Sequence, residues 1–151
     1  MELKRVVITG LGTMNPIGNN ISEFWDSLKN GVSGAAPITR FDASKFRTQF
    51  ACEVKGYKAT DHFDRKEARK LDRFSQFGII AAKEAVEDSA LDLEAENLKR
   101  IGVIWGAGIG GLETFFEEDI NFAKGDGTPR FNPFYIPKMI ANMAGGHIAI
   151  K

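Results

Sequence analysis

The chain has 151 residues, 43% of them hydrophobic, and its 20 basic residues balance its 20 acidic residues. A balanced charge gives no support for binding to nucleic acid or to an anionic membrane surface. The single cysteine excludes an internal disulfide, and the apolar run at residues 6–9 is too short for a secretion signal or a membrane span. We therefore expect a soluble, cytoplasmic protein.

The N-terminal part of the sequence predicts a strand followed by a helix. Val6–Thr9 is a β-branched run between charged residues and a glycine, which is typical of a buried strand. A helix is predicted over residues 20–31. Asn20 is placed to cap it, Glu23 occupies the third helical position, and Gly31 provides its C-terminal stop.

The middle of the chain predicts one short strand and two helices. Residues 34–45 read as irregular, whereas residues 48–55 alternate as a half-exposed strand does. Asp64 begins a capping-box pattern that opens a helix over 65–72, and a longer helix follows over 73–88. One face of the longer helix carries small and aromatic side chains, as if it packed tightly between other elements: Phe74, Phe77, Gly78, Ala81 and Ala85.

The C-terminal part predicts a second buried strand over 101–105, a helix over 112–123, and a last helix over 138–148 with Pro137 in its first turn. Two buried strands interspersed with helices favour an α/β layered fold. Two parallel strands do not complete a sheet, so we expect residues 1–151 to form part of one domain, with no internal boundary.

The loop Gly106–Gly111 fits the spacing G-x-G-x-x-G between a predicted strand and a predicted helix, as in dinucleotide-binding proteins. That site also needs a further strand with an acidic residue about 20 positions on, and residues 123–130 read as a loop. An NAD(P)-dependent dehydrogenase is therefore kept only as an alternative. Ile109, the large apolar residue of this loop, is either a plug against the core or the wall of an apolar pocket.

Four segments carry a resemblance to a known family: Arg5–Gly18, Arg100–Gly111, Asn132–Pro137 and Asn142–His147. Together they closely resemble the start of a β-ketoacyl-acyl-carrier-protein synthase, and the elongating type II enzymes of fatty acid synthesis are the nearest match. The resemblance implies an incomplete thiolase-like fold with αβαβα layers, and a homodimer. It further implies condensation of an acyl thioester with malonyl-acyl-carrier protein, without a metal or another cofactor.

The resemblance also assigns residues to an acyl pocket. The position of Ile109 lies at the base of this pocket, and the resemblance also assigns the aromatic residues Phe134 and Tyr135 to it. The position of Tyr135 reaches the pocket of the other subunit and is commonly phenylalanine in the family. A tyrosine there adds a hydroxyl that needs a partner if it is buried.

The predicted helix 65–72 carries Lys66, Arg69 and Lys70 at positions i, i+3 and i+4, hence on one face. By itself this pattern fits a solvated helix surface. The resemblance identifies it as the docking site for the acidic acyl carrier protein with its phosphopantetheine arm, and it adds Arg130 as a further docking cation.

No catalytic residue of the family falls within residues 1–151. The family uses a cysteine nucleophile and two histidines, and it places all three later in the chain. Cys52, His62 and His147 match none of these positions. We therefore expect the 151-residue chain to lack condensing activity. A catalytically empty partner subunit, similar to a chain-length factor, remains a second alternative.

Overall fold

The computed structural model describes residues 3–151, which contain helices and a small sheet. Its elements are α1 (Ile21–Lys29), β1 (Ala35–Pro37), β2 (Phe50–Cys52), α2 (Arg65–Ala68), α3 (Arg73–Asp88), α4 (Leu112–Lys124), α5 (Tyr135–Met139) and α6 (Met143–Ile150). Residues 3–57 with 81–91 form one compact unit, and residues 58–80 with 92–151 form another. The single part-domain expected over 1–151 stays a prediction, and its first two residues lie outside the described range.

Helix α1 confirms the predicted end signals. The Asn20 side chain accepts a hydrogen bond from the backbone N–H of Glu23 at 2.9 Å. At the other end Gly31 adopts the left-handed conformation, with φ of 64°. Its N–H donates to Leu28 O, and the N–H of Val32 donates to Ser27 O. These two bonds form a Schellman motif, which explains why a glycine ends this helix.

The small sheet of the first unit is an antiparallel pair, in which Ala35 faces Cys52 and Pro37 faces Phe50. Strand β2 confirms the strand predicted within 48–55. The prediction that residues 34–45 are irregular is wrong for Ala35–Pro37. A proline lacks the N–H that a central strand must donate, but it is accommodated at the edge of a sheet.

The strand predicted at Val6–Thr9 is wrong, since Val6 and Ile8 are exposed and no strand is assigned there. A β-branched run forms a buried strand only when neighbouring strands accept its backbone hydrogen bonds, and no such neighbour lies among residues 3–151. A few residues later in the chain, backbone N–H groups donate to side chains of α3 instead. The N–H of Leu11 donates to Asp88 at 2.9 Å, and the N–H of Thr13 donates to Glu84 at 2.8 Å.

The strand predicted at Ile101–Trp105 is also wrong. Ile104 is fully exposed, and within the described part of the chain this segment pairs with no strand. Trp105 instead packs closely against two helical glycines, Gly78 of α3 and Gly145 of α6. Its indole Nε1–H donates to Ala141 O at 3.0 Å. The tight packing predicted for the face of α3 is confirmed at Gly78.

The second unit has an apolar core built from α2, α3 and α6. Phe63, Leu71 and Ile79 are buried in it, and Ile148 packs against them. Helices α3 and α4 confirm the predictions for residues 73–88 and 112–123, whereas α2 ends at Ala68, earlier than predicted.

The single last helix predicted over 138–148 is wrong, because the chain forms α5 and α6 with a break at residues 140–142. Ile140 has extended backbone angles, φ −67° and ψ 127°, which interrupt the helical hydrogen bonds. Pro137 is the third residue of α5. It lies in the first turn, where a missing N–H removes no helical bond.

Candidate functional site

The three predicted docking cations lie on and just after α2, and all three are exposed. Asp64 caps this helix by accepting hydrogen bonds from the N–H groups of Lys66 and Glu67 at 2.7 and 2.8 Å. After Ala68 the backbone continues as a tight turn, in which the N–H of Lys70 donates to Glu67 O at 2.9 Å. We call Lys66, Arg69 and Lys70 the basic surface.

The two acidic residues beside the basic surface, Asp64 and Glu67, already have hydrogen-bond or ion-pair partners. Glu67 forms an ion pair with Lys151, with 2.6 Å between Oε1 and Nζ. The hydrogen bonds from the N–H groups of Glu67 and Lys66, and then the charges of Lys70 and Lys151, lower the pKa of Asp64. None of the ion pairs found within residues 3–151 uses Lys66 or Arg69. The positive charges of Lys66 and Arg69 are therefore available to an acidic partner.

Lys70 connects the basic surface to the aromatic residues near α5. Its Nζ lies 5.4 Å from the centroid of the Phe134 ring, within the range of a cation–π interaction. The family resemblance implies carrier docking for Lys70 and an acyl pocket for Phe134, and nothing in the sequence pattern pointed to this contact.

Tyr135 belongs to a group of three aromatic residues with Phe131 in the middle. Its ring stacks on Phe131 with 5.6 Å between centroids, and Phe131 lies 5.4 Å from Phe122. The Tyr135 hydroxyl donates to Asp119 Oδ1 of α4 at 3.4 Å, which supplies the partner that a tyrosine requires here. Burial, and then the negative charge of Asp119, raise the pKa of Tyr135 above its ordinary value of 10.0.

The glycine loop before α4 packs closely against α5. Gly110 has φ of 87°, and a side chain on it would meet the carbonyl oxygen of Met139. The N–H of Gly111 donates to that same oxygen at 2.9 Å. Ile109 projects from this loop with 70% of its surface exposed, so it does not plug a core within residues 3–151. Gly110 and Gly111 thus allow the close approach of two backbone segments.

A buried carboxylate that sequence reasoning missed fixes the start of α4. Asp72 accepts hydrogen bonds from the hydroxyl of Thr114 at 2.5 Å and from the N–H of Phe74 at 3.2 Å. Both Asp72 and Thr114 are buried. An aspartate just before the predicted helix 73–88 is an N-cap signal that could have revealed the cap at Asp72. Its bond to Thr114 spans 42 residues, and no sequence pattern encodes that contact.

The remaining candidate residues differ in exposure and in pairing. Cys52 is exposed in β2, and His62 is exposed near Phe63. His147 Nε2 is buried and has no hydrogen-bond partner within the described residues. Arg130 forms an exposed ion pair with Asp126 at 3.2 Å. No group of three or more metal-binding side chains occurs within residues 3–151. No helix in that range is long and apolar enough to cross a membrane.

Residues 3–151 match the family of β-ketoacyl synthase N-terminal domains. The chain is 47% identical over 151 residues to 3-oxoacyl-[acyl-carrier-protein] synthase 2 of Synechocystis sp.. The alignment covers all of this chain and 36% of that relative. The chain therefore belongs to the β-ketoacyl synthase family. It spans about a third of the length of the curated relatives that it matches.

Solved structures confirm the α/β, thiolase-like fold class. One is a type II PKS acyl-carrier protein in complex with its ketosynthase, with a TM-score of 0.77 and 21% identity. It is matched over 98% of this chain and 38% of that chain. Another is the ishigamide ketosynthase/chain length factor, with a TM-score of 0.75 and 27% identity over 95% of this chain and 36% of that chain. Family membership leaves the dehydrogenase alternative without support.

Proposed function

We propose that this chain is part of an elongating β-ketoacyl-acyl-carrier-protein synthase of type II fatty acid synthesis. The observation that carries the proposal is the 47% identity, over the whole chain, to a relative named as such a synthase. The proposed enzyme is a cytoplasmic homodimer without a metal or another cofactor. An acyl group is transferred from its carrier thiol, which is released, to an enzyme cysteine. Malonyl-acyl-carrier protein then loses carbon dioxide, and the resulting carbanion attacks the acyl carbonyl and displaces the cysteine thiolate.

The proposed nucleophile is a thiolate, which attacks more readily than a thiol and is activated by its neighbours. Two histidines assist the decarboxylation and stabilise the developing oxyanion. These three residues belong to family positions outside residues 1–151. Cys52 does not replace the nucleophile, because it lies exposed in a two-stranded sheet.

The basic surface is the proposed docking site for the acyl carrier protein. Its exposed cations, and the pairing of the neighbouring Glu67 with Lys151, support this role, since opposite charges steer the encounter of two proteins. The likeness to a ketosynthase solved in complex with its acyl-carrier protein adds support from the fold. Arg130 is proposed as a weaker contributor, because it already pairs with Asp126.

The proposed acyl pocket uses Ile109 of one subunit and Tyr135, with Phe134, of the partner copy. Ile109 is exposed on the glycine loop, and its apolar surface is free within the described residues to line a pocket for an alkyl chain. The Tyr135 hydroxyl bonds to Asp119, so the ring rather than the hydroxyl is available for contact with an alkyl chain.

Charge reversal tests the docking proposal in the full-length protein. Lys66→Glu combined with Arg69→Glu should raise KM for acyl-carrier-protein substrates by roughly tenfold, because exposed ion pairs contribute up to about 1 kcal/mol each. The salt dependence of that KM should also weaken. Activity toward small pantetheine thioesters should change little, as should both activities in the control Lys45→Glu. Equal losses with both kinds of substrate would assign α2 a role in folding instead.

A catalytically empty partner subunit is the second candidate, and the likeness to the ishigamide ketosynthase/chain length factor favours keeping it. The residue at the family's nucleophile position separates the two. A cysteine there supports the synthase, and a glutamine supports the empty partner. Mass spectrometry of the full-length protein after incubation with an acyl thioester should show one acyl group on a cysteine, which an empty partner would not carry.

A further inference from the structure

Within the described residues, only one cation of the basic surface contacts an aromatic ring. Lys70 lies 5.4 Å from the Phe134 ring centroid, whereas no cation–π contact in that range involves Lys66 or Arg69. Both Lys70 and Phe134 are exposed, so the contact lies at the surface.

The backbone of Phe134 is well anchored. Its N–H donates to the Asn132 side chain at 2.9 Å, and its carbonyl oxygen accepts from the N–H of Lys138 at 2.9 Å. A lysine side chain, in contrast, has four rotatable bonds on a flexible stem. In this pair Phe134 is therefore the fixed partner, and its ring limits the positions that the Lys70 ammonium adopts.

Ordering a flexible side chain is a cost of binding, and a group that is ordered beforehand avoids part of that cost. Contact with the face of a ring restricts the ammonium but leaves N–H donors for an acidic partner, since a lysine has three. Lys70 is thus held ready to bind a carboxylate or phosphate, whereas Lys66 and Arg69 must lose their freedom when a partner docks.

We infer that Phe134 is a positioning residue for carrier docking, because its ring pre-orders Lys70 on the basic surface. This inference rests on the proposed docking function. It gives Phe134 a role at the docking surface that is separate from the acyl pocket. It also distinguishes Lys70, whose contribution depends on the ring, from Lys66, whose contribution does not.

A double-mutant cycle in the full-length protein tests this inference, with holo-acyl carrier protein as the probe and Kd as the readout. Phe134→Leu removes the ring face but keeps an apolar side chain. It should weaken binding by about two- to fivefold, the range of an exposed cation–π contact. In the Lys70→Met background the same substitution should have no effect. Phe134→Tyr and Lys70→Arg should both retain the wild-type coupling, because each keeps a ring face or a cation.

The outcomes separate this inference from the docking proposal itself. If Lys66→Met weakens carrier binding but Phe134→Leu acts equally with and without Lys70, docking stands and the positioning role of Phe134 is overturned. Tighter binding in Phe134→Leu would likewise overturn it, because the ring would then compete with the carrier. If neither Lys66→Met nor Lys70→Met changes Kd, the docking proposal itself fails. The Lys66→Met and Phe134→Leu pair should be additive, and Phe46→Leu, a change of another exposed phenylalanine, should leave Kd unchanged.

Discussion

Ile109 is the one large apolar side chain of the glycine loop, and its exposure makes it a direct test of the proposed acyl pocket. In the full-length enzyme, Ile109→Phe should leave the elongation of short acyl primers nearly unchanged. Long primers should lose about one to two powers of ten in rate, because overpacking a close-packed pocket costs about 1–3 kcal/mol. Initial rates with a series of primer lengths measure this.

The conservative change Ile109→Val serves as its control, since it removes volume and should spare every primer length. Proportional losses for long and short primers in Ile109→Phe would show that the side chain supports the fold of the complete protein rather than the pocket.

Tyr135 allows a test by titration, because burial and the charge of Asp119 raise its pKa. The 151-residue chain has two tyrosines, so a Tyr57→Phe background leaves Tyr135 as its only phenol. Asp119→Asn should lower the pKa of Tyr135 part of the way to 10.0, since burial, the larger cause, remains. The ultraviolet absorbance of tyrosinate measures this change, and Glu117→Gln is the matched control.

The raised pKa of Tyr135 also makes the stability of the folded chain depend on pH. The unfolded chain ionises Tyr135 at its ordinary value, whereas the folded chain keeps the proton to higher pH. The contribution of Tyr135 to stability is therefore present below about pH 10 and is lost as pH rises through the folded-state pKa. An unshifted phenol would rule out the Asp119 contact.

At the scale of elements, two helical glycines should respond in opposite ways to the same substitution. A side chain on Gly78 of α3 would lie 2.5 Å from the Trp105 ring, whereas one on Gly146 of α6 meets nothing within 4 Å. Gly78→Ala should destabilise the 151-residue chain by about 1–3 kcal/mol through overpacking. Gly146→Ala should stabilise it by about 0.5–1 kcal/mol, because alanine favours a helix over glycine.

Urea unfolding followed by circular dichroism measures both free energies. Equal effects at the two positions would show that helix propensity alone decides them and that the packing of Trp105 against α3 contributes nothing.

The predicted helices and the predicted strands differ in how local their signals are. Asn20 and Asp64 accept hydrogen bonds from N–H groups two or three residues away, so a short stretch of sequence contains both the donor and the acceptor. The runs at Val6–Thr9 and Ile101–Trp105 have the side chains of a buried strand, but a strand also needs a second strand to accept its backbone hydrogen bonds. Their partners would have to come from distant segments, and residues 3–151 supply none.

For the whole molecule, we predict that residues 1–151 alone have no condensing activity. They contain one cysteine, Cys52, which is exposed in β2. Incubation with acyl- and malonyl-carrier protein should release no carbon dioxide above the blank, and Cys52→Ala should make no difference. Turnover that disappears specifically in Cys52→Ala would contradict the prediction.

The sequence by itself determined the family, both ends of α1, the start of α2, the extent of α3, and the basic residues of the proposed docking site. These features are encoded locally, either in side chains a few residues apart or in segments that the family shares. The predicted acyl pocket and docking site stay predictions, since each needs a partner that residues 3–151 do not contain.

Only the tertiary structure decided which distant groups meet. It placed Lys70 over Phe134, bonded Tyr135 to Asp119, and packed Trp105 against Gly78. Within residues 3–151 it also left the two β-branched runs without strand partners. Contacts of this kind depend on the path of the whole backbone, because burial and hydrogen bonding are satisfied between segments far apart in the chain, and no local pattern records which segments those are.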